Sequence, residues 1–306
     1  LVDSVHEKIF RKLGLWNKLT SAFSIHIDRK MLKTKRRKKR LKLVTYLKIN
    51  NDAAYFFDNQ FRNNLTSFLL DIQRLRSIDI LAPGITLTSL LSALNPLLNI
   101  EEIKIKFFAE PCVNEPDSCK FRLNKSLKRF SLLDSNNFLG VFLVNSNYNA
   151  LIKFLQKAPN LESFTLSLRQ VDTGLNCLFT ALGKLKKMYS LTLEVNYELL
   201  HLALQNSKKT RSDLAGCLSQ LKRLKVFNLF GAYMLSPETL LDVTSSLSCL
   251  SRLKTFKFKT FERNTNYLMS RTVDMSINLF KKGNLKELDL FGVYFNDSEL
   301  SQILTL

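Results

Sequence analysis

Leu224-Lys225-Val226-Phe227-Asn228-Leu229-Phe230-Gly231-Ala232-Tyr233 is the stretch that decides the fold, because Leu285-Lys286-Glu287-Leu288-Asp289-Leu290-Phe291-Gly292-Val293-Tyr294 repeats its plan. In both, an apolar residue is followed by a second three positions on and a third two positions after that. Apolar residues at alternate positions mark a strand with one buried face. The same spacing extends outward through the chain as Val44-Leu47-Ile49, Leu75-Ile78-Ile80, Ile100-Ile103-Ile105, Leu127-Phe130-Leu132 and Leu161-Phe164-Leu166. It continues as Met188-Leu191-Leu193, Leu224-Phe227-Leu229, Leu253-Phe256-Phe258 and Leu285-Leu288-Leu290, giving nine occurrences 25 to 36 residues apart. Self-similarity at such a period is the mark of stacked repeats, because one unit cannot bury its apolar face alone.

The segments between these strands carry apolar residues at helical spacing, such as Leu65, Phe68, Leu69 and Ile72, or Leu240, Val243, Leu247 and Leu250. Ser236-Pro237-Glu238 supplies a capping side chain, a proline for the first helical position and an acid for the first turn, and Asp297-Ser298-Glu299 opens the last helix similarly. With its strand-then-helix unit, the chain from residue 44 to 306 resembles the leucine-rich-repeat family, in particular its long-period, ribonuclease-inhibitor-like, cytosolic branch. The resemblance implies an α/β solenoid of about nine repeats, with a curved parallel sheet, outer helices and a helical N-terminal cap. The Asn that ladders the turn after the strand in that family is not consistently present, so uneven curvature is expected.

The resemblance also implies that a ligand sits on the concave side of the sheet, against residues flanking the second and third apolar positions. From that set the expected partner-binding residues are Tyr46, Lys104, Lys106, Arg129, Glu194, Asn228, Phe230, Lys257, Lys259, Asp289 and Phe291. Across the whole inferred face six cations (with Lys48) meet five anions (with Asp79, Glu102 and Glu287), so it is close to neutral. A groove tracking a nucleic-acid backbone should be positive along its length. Mixed charge with Ser/Thr in the middle and Phe at the C-terminal end suits a protein ligand better.

The whole chain carries +20. Residues 1–48 hold 15 Lys/Arg and 3 Asp/Glu, a contribution of +12. The density peaks within residues 29–43, at Lys33, Lys35, Arg36, Arg37, Lys38, Lys39, Arg40 and Lys42. Such a run is read as a nuclear import signal, a nucleic-acid contact or a solvated segment. No aromatic residue interleaves with it, so any RNA binding there is expected to be non-specific and salt-sensitive, as in a basic subunit of an RNA-containing assembly.

Residues 1–28 show helical spacing in Val5, Ile9 and Leu13 and again in Leu15, Leu19, Ala22 and Phe23, with Gly14 between the patches. One reading is a helical cap covering the first repeat. Leu1, Asp3, Val5, Lys8, Ile9, Phe10, Leu13, Leu15, Leu19 and Ala22 also resemble the first half of an F-box, with Val2 where that motif has Pro and no closing Trp. That resemblance implies a substrate receptor of a cullin-type ubiquitin ligase.

Catalytic chemistry is not signalled. His6, His26 and His201 form no ligand pair, the glycines make no phosphate-cradling motif, and Glu101-Glu102 reads as a solvated pair flanking a strand. No cofactor, metal or small-molecule substrate is therefore expected. Five cysteines, an odd number, fit reduced thiols, and Cys177, Cys217 and Cys249 fall in apolar helical patterns where burial is expected. Cys112 and Cys119 share one loop. The longest apolar run, Phe138 to Val144, is far short of the ~20 residues a membrane span needs. With no secretory signal at the start, an intracellular protein, cytoplasmic or nuclear, is expected. Because the chain begins at Leu1 and ends within a helical pattern, a longer parent protein is expected too.

Overall fold

A computed structural model of the chain describes residues 23–24, 45–50, 66, 69–70, 72, 74–82, 87–107, 120–134, 142–143, 145–168, 170–171, 175–195, 208–230, 237–259, 279, 284–291, 297 and 301. In chain order the elements are β1 (Phe23–Ser24), β2 (Tyr46–Asn50), β3 (Ser77–Ala82), α1 (Leu87–Leu94), β4 (Glu102–Phe107), β5 (Arg129–Asp134), β6 (Phe142–Leu143) and α2 (Asn145–Gln156). They continue as β7 (Ser163–Leu168), β8 (Gln170–Val171), α3 (Leu175–Gly183), β9 (Ser190–Val195), α4 (Lys208–Gln220), β10 (Val226–Phe230), α5 (Pro237–Ser248), β11 (Thr255–Lys259) and β12 (Glu287–Phe291). Ten strands form one open, all-parallel sheet in which spatial order follows chain order, while β6 and β8 pair separately. This α/β arrangement is compatible with a repeat solenoid.

Each of the nine apolar triplets lies at a strand. Of their 27 positions, 23 are buried, Leu285, Leu288 and Leu290 are partly buried against the core, and Val44 lies outside the described residues. The core runs as one cluster from Leu47 to Leu279. Aromatic residues at the second triplet position stack between neighbouring strands, Phe130 on Phe164 at 6.0 Å and Phe227 on Phe256 at 5.8 Å. Such ring pairs contribute about 0.5–1.5 kcal/mol beyond their buried area.

Uneven repeat lengths do not disturb the sheet. At every step from β2 to β12 the carbonyl just before one strand accepts two consecutive N–H groups at the start of the next, as when Arg76 O takes those of Glu101 and Glu102 (2.7 and 2.9 Å). Insertions are absorbed elsewhere in the repeat. The buried pattern is also longer than the triplet. In Leu94-Leu97-Ile100, Leu155-Ala158-Leu161, Leu182-Leu185-Met188, Leu218-Leu221-Leu224 and Leu247-Leu250-Leu253, two successive i→i+3 backbone bonds carry the helix end into the strand, and all these residues are buried. Leu69-Ile72-Leu75 makes the same turn.

One turn uses a side chain instead. At Phe121-Asn124-Leu127 the middle position is a buried Asn, whose Oδ1 accepts N–H bonds from Ser126 and Leu127 (3.1 and 3.0 Å) and whose Nδ2 donates to Leu97 O (3.2 Å). Polar satisfaction there replaces apolar packing.

Three expectations are corrected. Phe23, placed on a helix by its spacing, lies in the short strand β1, whose partners are Leu47 and Lys48 of β2. Pairing there satisfies backbone groups that β2 would otherwise leave at the sheet edge. Of the three helical cysteines only Cys217 is buried; Cys177 and Cys249 are exposed, and all three are free thiols. Cys177 precedes the inward Leu178 and Phe179 of α3, and Cys249 precedes the inward Leu250. Finally, Glu101 and Glu102 are not simply solvated, because the ladder sets Arg76 and Lys128 beside Glu101 and Arg129 beside Glu102 as ion-pair partners.

Candidate functional site

Because strand side chains alternate in direction, each buried pair leaves three positions pointing the other way. The parallel register aligns these positions across β2–β5, β7 and β9–β12 into three rows. The first row runs Tyr46, Ser77, Glu102, Arg129, Ser163, Ser190, Val226, Thr255, Glu287. The second runs Lys48, Asp79, Lys104, Ser131, Thr165, Thr192, Asn228, Lys257, Asp289. In the third, Lys106 pairs in register with Leu81 and Leu133, and further on come Glu194, Phe230, Lys259 and Phe291. At a strand spacing of about 4.8 Å, nine strands make a face roughly 40 Å long. All eleven partner-binding positions named from sequence lie on this one face of the backbone lattice.

At the N-terminal end the charges neutralise one another. Glu102 accepts a hydrogen bond from Ser77 on one side (3.0 Å) and from Arg129 Nη2 on the other (3.3 Å). One residue earlier, Glu101 pairs with Arg76 and, at 3.6 Å, with Lys128. The Arg76 hydrogen bond dominates in holding the Glu101 carboxyl below the usual carboxylate range. Burial would raise Glu102, but the bonds from Arg129 and Ser77 and the charges of Arg129 and Lys104 outweigh it, so its carboxyl is also lowered. The same hydrogen bond to Glu102 raises Arg129. Burial, then the charges of Asp79 and Glu102, push the Tyr46 phenol up. The corresponding offset in three successive repeats carries Arg76, Glu101 and Lys128, an alternation of charge that is present in the sequence one residue before each strand.

The middle of the face is hydroxyl-rich. Asn228 Nδ2 donates to Thr192 Oγ1 at 3.0 Å, while Asn228 Oδ1 is shielded and has no partner among the described residues. At the C-terminal end Lys257 Nζ meets Glu287 at 2.5 Å, raising the ammonium and lowering the carboxyl chiefly through that hydrogen bond. Lys259 Nζ stands 5.3 Å from the Phe230 ring centroid, within cation–π range. Phe291 takes its place in β12 opposite Lys259 by backbone pairing.

Burial pushes the Cys217 thiol up to about 12, which leaves it an unreactive core residue. Lys33 to Lys42, Cys112, Cys119, the three histidines and every residue that carries the F-box resemblance lie outside the described residues. No helix among the described residues is long and apolar enough to cross a membrane. The chain matches no protein-family model, and no curated protein matches it.

Proposed function

We propose that this chain is a leucine-rich-repeat solenoid of the long-period kind, acting as a non-catalytic module that captures a protein partner on the concave side of its sheet. The observation that carries this reading is the single aligned face, on which charges of both signs neutralise one another between neighbouring strands and an aromatic anchor, Phe230, stands beside Lys259. A face of that length accommodates a partner surface of ordinary size, about 800 Å² per side. Aromatic and positively charged anchors flanked by polar rims are what protein interfaces use for binding energy. The repeating L-x2-L-x2-L-x2-L-x-L burial pattern supports the family reading, and free thiols support a reducing, intracellular setting.

The test is capture from nuclease-treated extract of the protein's own cells. Phe230→Ala combined with Asp289→Ala should reduce recovery of the bound protein at least tenfold, with circular dichroism unchanged. Equal recovery by the double variant would remove this face from consideration.

A further inference from the structure

The helix-to-strand turns all lie along the edge of the sheet where the strands begin, because every strand runs the same way. Taken together, residues 74–76, 95–101, 120–128, 157–162, 184–189, 221–225, 249–254 and 284–286 hold 16 Lys/Arg and two Glu, a balance of +14. The N-terminal 48 residues contribute +12, so the rest of the chain is net −6. The basic excess therefore has two homes, the N-terminal segment and this edge.

The imbalance is purest in the last four turns, which lead into β9, β10, β11 and β12. They hold nine Lys/Arg and no acid. All nine are exposed, and among the described residues none pairs with a carboxylate. Lys186 donates to Gly183 O (2.9 Å) and Gln220 Oε1 (3.3 Å), which are neutral partners that leave its charge in place. Like stacks upon like: Lys225, Lys254 and Lys286 occupy the same position on consecutive strands, linked by the backbone bonds Lys254 N–H to Lys225 O and Lys286 N–H to Lys254 O (2.8 and 2.7 Å).

The bland explanation is that lysines compensate helix C-termini. Each helix end carries about half a negative charge, so α3, α4 and α5 together present about −1.5 against nine cations. Stacking like charges on adjacent strands also opposes folding. About seven positive charges on this edge are thus left without an opposite charge among the described residues.

We propose that this edge, from the turn before β9 to the turn before β12, is a second interaction surface that binds the phosphate backbone of a nucleic acid without reading its sequence. Four turns at strand spacing cover about 14 Å, a length of duplex that carries about eight phosphates, so nine cations match its charge. Tyr189, 37% exposed, is the exposed aromatic side chain of these turns. A surface with so few apolar anchors gives a protein little to grip. One aromatic ring likewise provides no platform for stacking successive bases.

The experiment titrates the full chain against a labelled RNA duplex of about 20 base pairs and mixed sequence. Binding is followed between about 50 and 200 mM salt. The variant Lys222→Glu/Arg223→Glu/Lys225→Glu should bind at least tenfold more weakly at low salt. Its log–log salt slope should fall in magnitude by about 2.7, since each of the three lost duplex contacts removes about 0.9. Lys254→Glu/Lys286→Glu, an independent pair on the same edge, should act in the same direction, and the Arg-for-Lys versions should retain binding. Unchanged affinity and slope in both variants overturn the proposal. So does binding lost only when Lys33 to Lys42 are neutralised, or binding to phosphatidylserine vesicles in place of RNA. None of these outcomes depends on whether the strand face takes a protein.

Discussion

The strand face and the turn edge are made by the same repeat, a few residues apart, and the ladder that aligns one aligns the other. On the face, opposite charges sit beside each other: Lys48 next to Asp79 next to Lys104, Glu102 between Ser77 and Arg129, Lys257 against Glu287. On the edge, Lys225 stands beside Lys254 and Lys254 beside Lys286. The backbone dictates which residues become neighbours and is indifferent to their charge. Sequence alone makes one surface self-neutralising, fit for a selective contact, and the other uncompensated, fit for a polyanion.

The comparison depends on the edge being chemically separable from the core directly beneath it, and the largest expected effect tests that. Leu221 is fully buried, and the next two residues, Lys222 and Arg223, are exposed. Leu221→Ala should cost about 2–5 kcal/mol of stability in urea unfolding, as for other buried leucines. Lys222→Ala and Arg223→Ala should each move stability by no more than about 0.5 kcal/mol. If the two charge removals destabilise as much as the leucine, the lysines serve the fold and the contrast between surfaces collapses.

The strands were legible because a period of two with a buried face leaves an unambiguous mark, and their repetition nine times over defeated chance. Much of the face followed, since alternation fixes which residues share a side. What escaped was whatever depends on adjacency across the sheet. Arg76, Glu101 and Lys128 are about 25 residues apart, and only the ladder turns them into an ion-paired group. The basic edge is hidden for the same reason, being spread in ones to fours over seven of the eight turns while the run at Lys33 to Lys42 is contiguous. Phe23 misled because a few apolar residues at helical spacing do not record that a neighbouring strand offers unpaired backbone groups.

An intermediate effect is expected where the edge changes its own construction. Asn124 occupies the position that Leu97, Leu185, Leu221 and Leu250 fill in other turns, yet it works through hydrogen bonds. Asn124→Ala strands two N–H groups and one carbonyl and should cost about 1–3 kcal/mol by urea unfolding. Asn124→Leu should also destabilise, because the chain from Phe121 lacks the i→i+3 bonds of the other turns. A neutral Asn124→Leu would show that this turn can adopt the common form, and that its difference from its neighbours is incidental.

The smallest effect concerns acid, where the two surfaces should part company. Glu101, Glu102 and Glu287 have folded-state values below their unfolded ones. Their contribution to stability is complete above the unfolded value, about 4.3, and is lost as pH falls through the lower folded values. Pairs this exposed are well screened by solvent, so Glu102→Gln should lower stability only slightly at pH 7 and reduce its loss on acidification below about pH 4.5. The last four turns of the edge hold no Asp, Glu or His, so its RNA affinity should hold constant from about pH 5 to 7.5. An affinity that rises as soon as pH drops below 7 would mean that a histidine or a shifted carboxylate shares the anion site, and the edge would no longer be the pH-independent member of the pair.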